Sequence, residues 1–323
     1  MRRHVVIGAA LAAIAAAPAA ARADGLPVGA VDAGPGGVTV PGAAARYATL
    51  PAGRNTIVAR IRRDGGEVVA WRPLHGRFTV PAVALDGTPG GLSADGRTLV
   101  LIRPRPGFPQ TRTQLRVLGT GSMKVRRELT LRGDFSYDAL SPAGERLYLI
   151  QYTSRRDPTH YRVRAYDLAA GRLVPGAIID PREPDEQMRG YPLTRAASAD
   201  GRWAYTLYDG AGAHPFIHAL DTANGTAACI DLDALAGSPD LGALRLAVGG
   251  ETVTLNSPDG PVLAVDRTSF AVREPQAAAR RAPASRPDRG GDVPWTAVGV
   301  GAAAIALIAA AALAGLRRSP VQP

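Results

Sequence analysis

Lysine is almost missing from this chain of 323 residues: Lys124 stands alone among 38 basic side chains. Basic content carried throughout by arginine reflects composition, so arginine by itself is no sign of phosphate recognition. The position of the charges sharpens the point. Arg2, Arg3, Arg22, Arg317 and Arg318 flank two terminal apolar segments, and without them the formal charge of +10 falls to about +5. That removes the basic surplus on which nucleic-acid binding would rest. Cysteine is just as scarce. Cys229 is the only one, which excludes an intramolecular disulfide framework and cysteine-based zinc sites. Between Ala228 and Ile230 it reads as a buried apolar residue. Aromatic residues make up only 5%, so any core must be built mainly from small aliphatics. Between residues 47 and 275 no helical apolar stripe is longer than 232–235. No G-x-S-x-G elbow, no glycine-rich phosphate loop before a helix and no heptad run is present. No catalytic, metal-ligating or cofactor-binding set is therefore assigned.

Turn-formers and two apolar ends are what the chain does have. Glycine (37) and proline (27) imply many turns. Met1-Arg2-Arg3-His4 precedes an apolar run over 5–17 that Pro18 ends, and Ala21-Arg22-Ala23 fits a small-residue cleavage site before Asp24. This predicts a signal peptide over 1–23. Trp295 to Leu316 is free of charge and is followed by Arg317-Arg318. A helix over 294–316 is long enough to span a bilayer, with the arginine pair inside and Trp295 at the outer interface. Residues 276–293, rich in Arg, Pro and Gly, read as a linker. A short lead-in (24–46) and a cytoplasmic tail (317–323) complete the division around a central region, 47–275.

That central region repeats itself. Ser198-Ala199-Asp200-Gly201-Arg202 leads into Trp203-Ala204-Tyr205-Thr206-Leu207; Ser93-Ala94-Asp95-Gly96-Arg97 leads into Thr98-Leu99-Val100; Ser141-Pro142-Ala143-Gly144 leads into Arg146-Leu147-Tyr148. Aligning the turn glycines extends the series to Gly250 and back to Gly53, five units of roughly 50 residues, a spacing that signals propellers or other repeat arrays. A second landmark follows in each unit: Asp167 with Gly171, Asp221 with Gly225, and Asp266 without a glycine. Aspartate supplies an acceptor to the turn backbone and glycine supplies positive φ. Each unit thus reads as strand, turn, strand, loop, strand, hairpin, strand, which is four antiparallel strands.

On these residues the chain resembles the YVTN-type β-propeller repeat, in which a Ser-Pro-Asp-Gly-like turn precedes a Leu-Tyr-Val strand and a later strand ends in an Asp-initiated hairpin. The resemblance covers 47–275 and implies an all-β propeller of about five four-stranded blades. It implies little about chemistry, because propellers host unrelated functions.

Repetition marks Asp95 and Asp200 as turn residues. His214 and His218 are four apart, but Pro215 and the apolar run after it place them along a strand, about 13 Å from each other and unable to chelate together. Differences between the units are more informative. Arg103-Pro104-Arg105-Pro106-Gly107-Phe108 and Arg155-Arg156-Asp157-Pro158-Thr159-His160 occupy the same place in successive units, between the second and third strands, and should emerge on one face. A third loop carries Asp180, Glu183, Asp185 and Glu186; it lacks the glycine spacing of a calcium loop and reads as a solvated or partner-contacting segment. Arg103, Arg105, Phe108, Arg155, Arg156, His160, Asp180, Glu183, Asp185 and Glu186 are therefore the candidate ligand or partner surface. The expected protein is a single-span membrane protein whose ectodomain binds or senses outside the cell. Lipid would meet the C-terminal helix, and an extracellular protein or an anionic wall polymer or glycan would meet the loops. An extracytoplasmic hydrolase of lactonase type on the same fold is the alternative.

Overall fold

The computed structural model describes residues 36–185 and 187–274. The expected signal peptide, linker, transmembrane helix and tail lie outside the described residues, as do most of the lead-in and Glu186.

The strands fall into five antiparallel sheets, each a meander in chain order. The first holds β1 (Ala45–Ala52), β2 (Asn55–Arg62) and β3 (Val68–Leu74); the second β4 (Thr98–Ile102), β5 (Arg112–Gly119) and β6 (Lys124–Arg132). The third holds β7 (Phe135–Leu140), β8 (Arg146–Tyr152), β9 (Tyr161–Asp167) and β10 (Arg172–Leu173). The fourth holds β11 (Pro192–Ala197), β12 (Trp203–Tyr208), β13 (Phe216–Asp221) and β14 (Thr226–Asp231). The fifth holds β15 (Arg245–Val248), β16 (Thr252–Ser257), β17 (Gly260–Asp266) and β18 (Val272–Arg273). The helices among the described residues are three single turns of 3-10 geometry.

The two three-stranded sheets keep a remnant of the expected first strand. Val38 bridges Tyr47 beside β1, and Leu92 bridges Leu99 beside β4. Gly36, Gly37 and Pro41 flank the first remnant, and Pro89, Gly90 and Gly91 precede the second. Proline cannot donate to the ladder and glycine weakens a strand, so pairing stops at one bridge.

One turn recurs before the second strand. Gly96, Gly144 and Gly201 each donate to the carbonyl of the serine three residues earlier at 2.8 Å, all with φ near +70°. Ser93, Ser141 and Ser198 each accept from the amide five residues on, at 2.9–3.0 Å. The first unit departs from the sequence alignment. Gly53 sits in the hairpin between β1 and β2, where Ala52 pairs with Asn55, so it joins the second strand to the third. The equivalent of the serine turn is Val40–Ala43, with Ala43 donating to Val40 at 3.2 Å.

The hairpin from third to fourth strand is the most regular element. Gly66, Met123, Gly171, Gly225 and Phe270 each donate to the carbonyl four residues earlier (Arg62, Gly119, Asp167, Asp221 and Asp266). All five have positive φ, between 51° and 74°. Phe270 accepts the strain of that conformation because its ring packs edge-on against Trp203 at 5.7 Å. Phe270→Ala keeps the strain and loses the ring, so it is expected to destabilise by about 1–2 kcal/mol. Phe270→Gly loses the ring but relieves the strain, and should cost less than Phe270→Ala in urea titrations, reversing the usual order of the two substitutions.

Cores form between consecutive sheets. Tyr47, Val58, Leu99 and Leu101 join the first to the second, and Val100, Leu115, Phe135 and Leu149 join the second to the third. Tyr161, Val163, Tyr208 and Phe216 join the third to the fourth, and Leu207, Ile217, Leu246 and Val253 join the fourth to the fifth. Meander sheets stacked face to face in chain order are the blade arrangement of propellers. The fold is all-β and propeller-type.

A hairpin over 81–90 reaches across this stack. Val83 donates to Thr88 and Gly90 to Pro81, closing it. Its tip then pairs with the edge of the fourth sheet: Leu85 donates to Pro192 at 2.8 Å and Asp86 to Leu193 at 3.2 Å. Val80, Ala82, Val83 and Ala84 are buried, Val80 in the core between the first and second sheets and Val83 in the core between the second and third. Gly90 lies so close to Val83 and Tyr137 that a Cβ there would approach within 2.7 Å of both side chains.

Candidate functional site

The serine turns and the five hairpins lie at one end of the stack; the long loops lie at the other. Three of these loops join there. Phe108, in the loop between β4 and β5, meets Tyr152 edge-on at 5.8 Å, which brings it against the loop between β8 and β9. That second loop then pairs with the one before β11: His160 bridges Arg189, and Gly190 donates to Thr159 at 3.1 Å. Arg189 also lies 3.7 Å from Asp157, which holds His160 Nε2 at 3.2 Å.

Two of the nine candidate residues that are described do not lie on this surface. Arg105 is buried: it pairs with Asp134 and lies between the rings of Phe108 and Tyr152, 5.8 and 5.2 Å from their centroids. Asp134 anchors Gln110 as well, accepting its amide at 2.8 Å, so the pair fastens the loop from within. Asp180 is also buried. It accepts from the backbone of Cys229 at 2.9 Å and from Arg182, which itself donates to the Cys229 carbonyl at 2.9 Å. Burial works to raise the Asp180 carboxyl, but these hydrogen bonds outweigh it and hold the group down to about 2. Asp180 is thus a clamp onto the edge of β14. Arg103, Arg155, Arg156, Glu183 and Asp185 are exposed, and Phe108 and His160 are half-buried. Among the described residues no three His, Cys, Asp or Glu side chains gather as a metal would require. His214 pairs with Asp233 at 2.6 Å, and His218 is buried in β13.

A polar seam between the third and fourth sheets was not expected. It begins at a bulge: Tyr137 pairs with Leu149 and Ala139 with Tyr148, so Asp138 is left over in β7. The extra residue turns Asp138 toward the fourth sheet, where Arg195 of β11 grips it. One guanidinium nitrogen bonds Asp138 Oδ1, a second donates to the Asp138 carbonyl at 2.5 Å, and Nε donates to Thr206 at 2.8 Å. Burial opposes the charge on Arg195, and the Asp138 carboxylate more than offsets it, so the guanidinium is held above its ordinary value. His218 lies in the same seam, and burial lowers it to about 4, so it is neutral near pH 7. Burial also pushes up the phenols of Tyr137, Tyr161 and Tyr208. Asp138 Oδ2 and His218 Nε2 are both buried without a hydrogen-bond partner.

Cavities open on either side. Toward the loops, Tyr137, Tyr152, Tyr161, Tyr191 and Tyr208 surround a space of about 10 Å³, room for a single water. Toward the turns, Asp138 and Arg195 border a cavity of about 180 Å³.

No family model and no curated protein matches the chain. Solved structures do. A functionally unknown protein from Desulfotomaculum acetoxidans is 15% identical, over 71% of this chain and 68% of that one, with a TM-score of 0.42. A putative 6-phosphogluconolactonase from Bacteroides uniformis is 14% identical, over 73% and 68%, with a TM-score of 0.41. TolB from Acinetobacter baumannii is 15% identical, over 73% and 54%, with a TM-score of 0.37. These likenesses are of general architecture and assign no chemistry to this chain.

Proposed function

We propose that the chain is a membrane-anchored extracytoplasmic binding module. In this reading the five sheets are the blades of a YVTN-like propeller, residues 1–23 are removed on export, and the segment 294–316 holds the ectodomain at the cell surface. The loop end faces the partner. The observation that carries the reading is the joining of three loops into one surface through Phe108–Tyr152 and His160–Arg189. The Arg105–Asp134 pair beneath it is buried, while Arg103, Arg155 and Arg156 are left in solvent. Buried anchors under exposed charges suit recognition of an extended polyanion, an anionic glycan or wall polymer, by electrostatic contact. Catalysis at the polar seam is the weaker reading, because Asp138 and His218 are each only 1–2% exposed.

The test uses the full chain in detergent and hyaluronate as a polyanionic glycan. Binding is expected to weaken as salt rises, and Arg103→Glu combined with Arg155→Glu and Arg156→Glu should weaken it at least tenfold. Equal binding by wild type and the triple variant overturns the loop assignment. External protease acting on intact cells tests the orientation: the ectodomain should be cleaved, and its protection would refute a surface location.

A further inference from the structure

A cavity of about 600 Å³ lies at the turn end, between the second and third sheets, and neither the loop surface nor the polar seam uses it. Three arginines line it: Arg126 and Arg127 of β6 and Arg146 of β8. Neighbours on a strand ordinarily face opposite ways. In β6, however, Val117 pairs with Arg127 and Leu118 with Val125, so Arg126 is an extra residue. The bulge suspends the alternation, and both arginines border one cavity.

The guanidinium groups are spread around the wall. Arg126 lies over Gly119, where a Cβ would collide with its guanidinium, and Gly119 pairs with Thr98 of the lining. Arg127 donates to the carbonyl of Ala169, another lining residue, at 3.4 Å. Arg146 Nη1 stands 3.2 Å from where a Cβ on Gly225 would be, on the hairpin that contributes Ala223. None of the three forms an ion pair among the described residues. Two carboxylates also line the cavity. Asp167 is engaged by its own hairpin, accepting the Ala170 amide at 2.8 Å, whereas Glu145 is exposed. In the fourth sheet the place of Glu145 is held by Arg202, which closes onto Asp221 at 2.8 Å; the third sheet has no such closure.

We infer that this cavity binds a dianionic phosphate monoester. Three guanidinium groups against the one uncommitted carboxylate, Glu145, leave two positive charges for a ligand to balance. The planar fork of arginine matches phosphate oxygens in pairs. The space also admits an organic group beside the phosphate, which would meet Val117, Leu168 and Ala223. A soluble ester and a lipid headgroup share this chemistry.

Titration calorimetry on the full chain in nonionic detergent at about pH 8, where a phosphate monoester is dianionic, separates the cases. Glycerol 3-phosphate is the soluble ester, dihexanoyl phosphatidate the lipid form, and dimethyl phosphate a monoanion. Saturable binding of a monoester is expected, with dimethyl phosphate weaker by about tenfold or more. Binding of phosphatidate without glycerol 3-phosphate assigns the site to a headgroup; binding of glycerol 3-phosphate assigns it to a soluble ester. Arg126→Gln combined with Arg127→Gln should weaken the monoester by about tenfold or more. Glu145→Gln removes the opposing charge and should tighten it by about twofold or more, a gain that a misfolded variant cannot produce. Binding of neither monoester, equal binding of dimethyl phosphate, unchanged affinity in the arginine variant or no gain in Glu145→Gln overturns the assignment. Charge reversal at Arg103, Arg155 and Arg156 should leave this binding unchanged, so it stands or falls apart from the loop surface.

Discussion

Arg195→Met is expected to be among the most damaging single substitutions in the protein, costing about 3–5 kcal/mol. It strips Asp138 of its only charge partner among the described residues while the carboxylate stays buried, and leaves Oδ1 as unserved as Oδ2 already is. Asp138→Leu alone should be comparably harmful, since it leaves the guanidinium uncompensated. The double replacement Asp138→Leu with Arg195→Met removes both charges, and apolar replacements of a buried pair are often tolerated. The double variant should therefore cost less than the sum of the singles by at least 2 kcal/mol. Urea unfolding of the four proteins, followed by tryptophan fluorescence, measures the cycle. Additive costs, or an Arg195→Met cost under about 1 kcal/mol, would show that the pair is not the charge centre of the interface.

Acid should weaken the fold in two separate windows. His218 titrates near 4 in the folded chain, against an ordinary value of 6.5. Between those values the unfolded chain carries a proton that the folded chain lacks, so stability falls as pH falls, and the loss is complete near pH 4. A gap of that size corresponds to about 3 kcal/mol. The Asp180 carboxyl is shifted from 3.8 to about 2, so its contribution is intact above about pH 5 and is lost progressively as pH falls through 3.8 toward 2. His218→Gln removes the titrating group, and its stability should be nearly flat between pH 6.5 and about 5 while the wild type declines. A parallel decline in both proteins would move the acid sensitivity elsewhere.

The turn grammar was legible because it is local. A serine hydroxyl capping an amide five residues away, or an aspartate opening a hairpin, needs no distant partner. The same grammar misplaced the first unit: Pro51-Ala52-Gly53-Arg54 resembles the serine turn in composition, and only the pairing of Ala52 with Asn55 shows it at the opposite end. Asp266 marked the fifth hairpin even without a glycine; tertiary packing supports the φ of +59° at Phe270. Arg105 and Asp180 were read as surface residues because their partners, Asp134 and the Cys229 amide, lie 29 and 49 residues away. The seam was hidden more deeply. Alternation along β7 would put Asp138 and Ala139 on opposite faces, yet the bulge leaves both toward the fourth sheet. A break in period two at one residue cannot be told from noise in a single sequence.

The hairpin at 81–90 also constrains the order in which the protein can be made. Leu85 and Asp86 need Pro192 and Leu193 as backbone partners, and these leave the ribosome roughly a hundred residues later, on the order of ten seconds at ordinary synthesis rates. Until then the tip of the hairpin, with Ala84 buried in the finished fold, lacks the strand edge it pairs with. The nascent hairpin is thus a finger whose tip stays unpaired, which makes this interval a natural point for a chaperone to act.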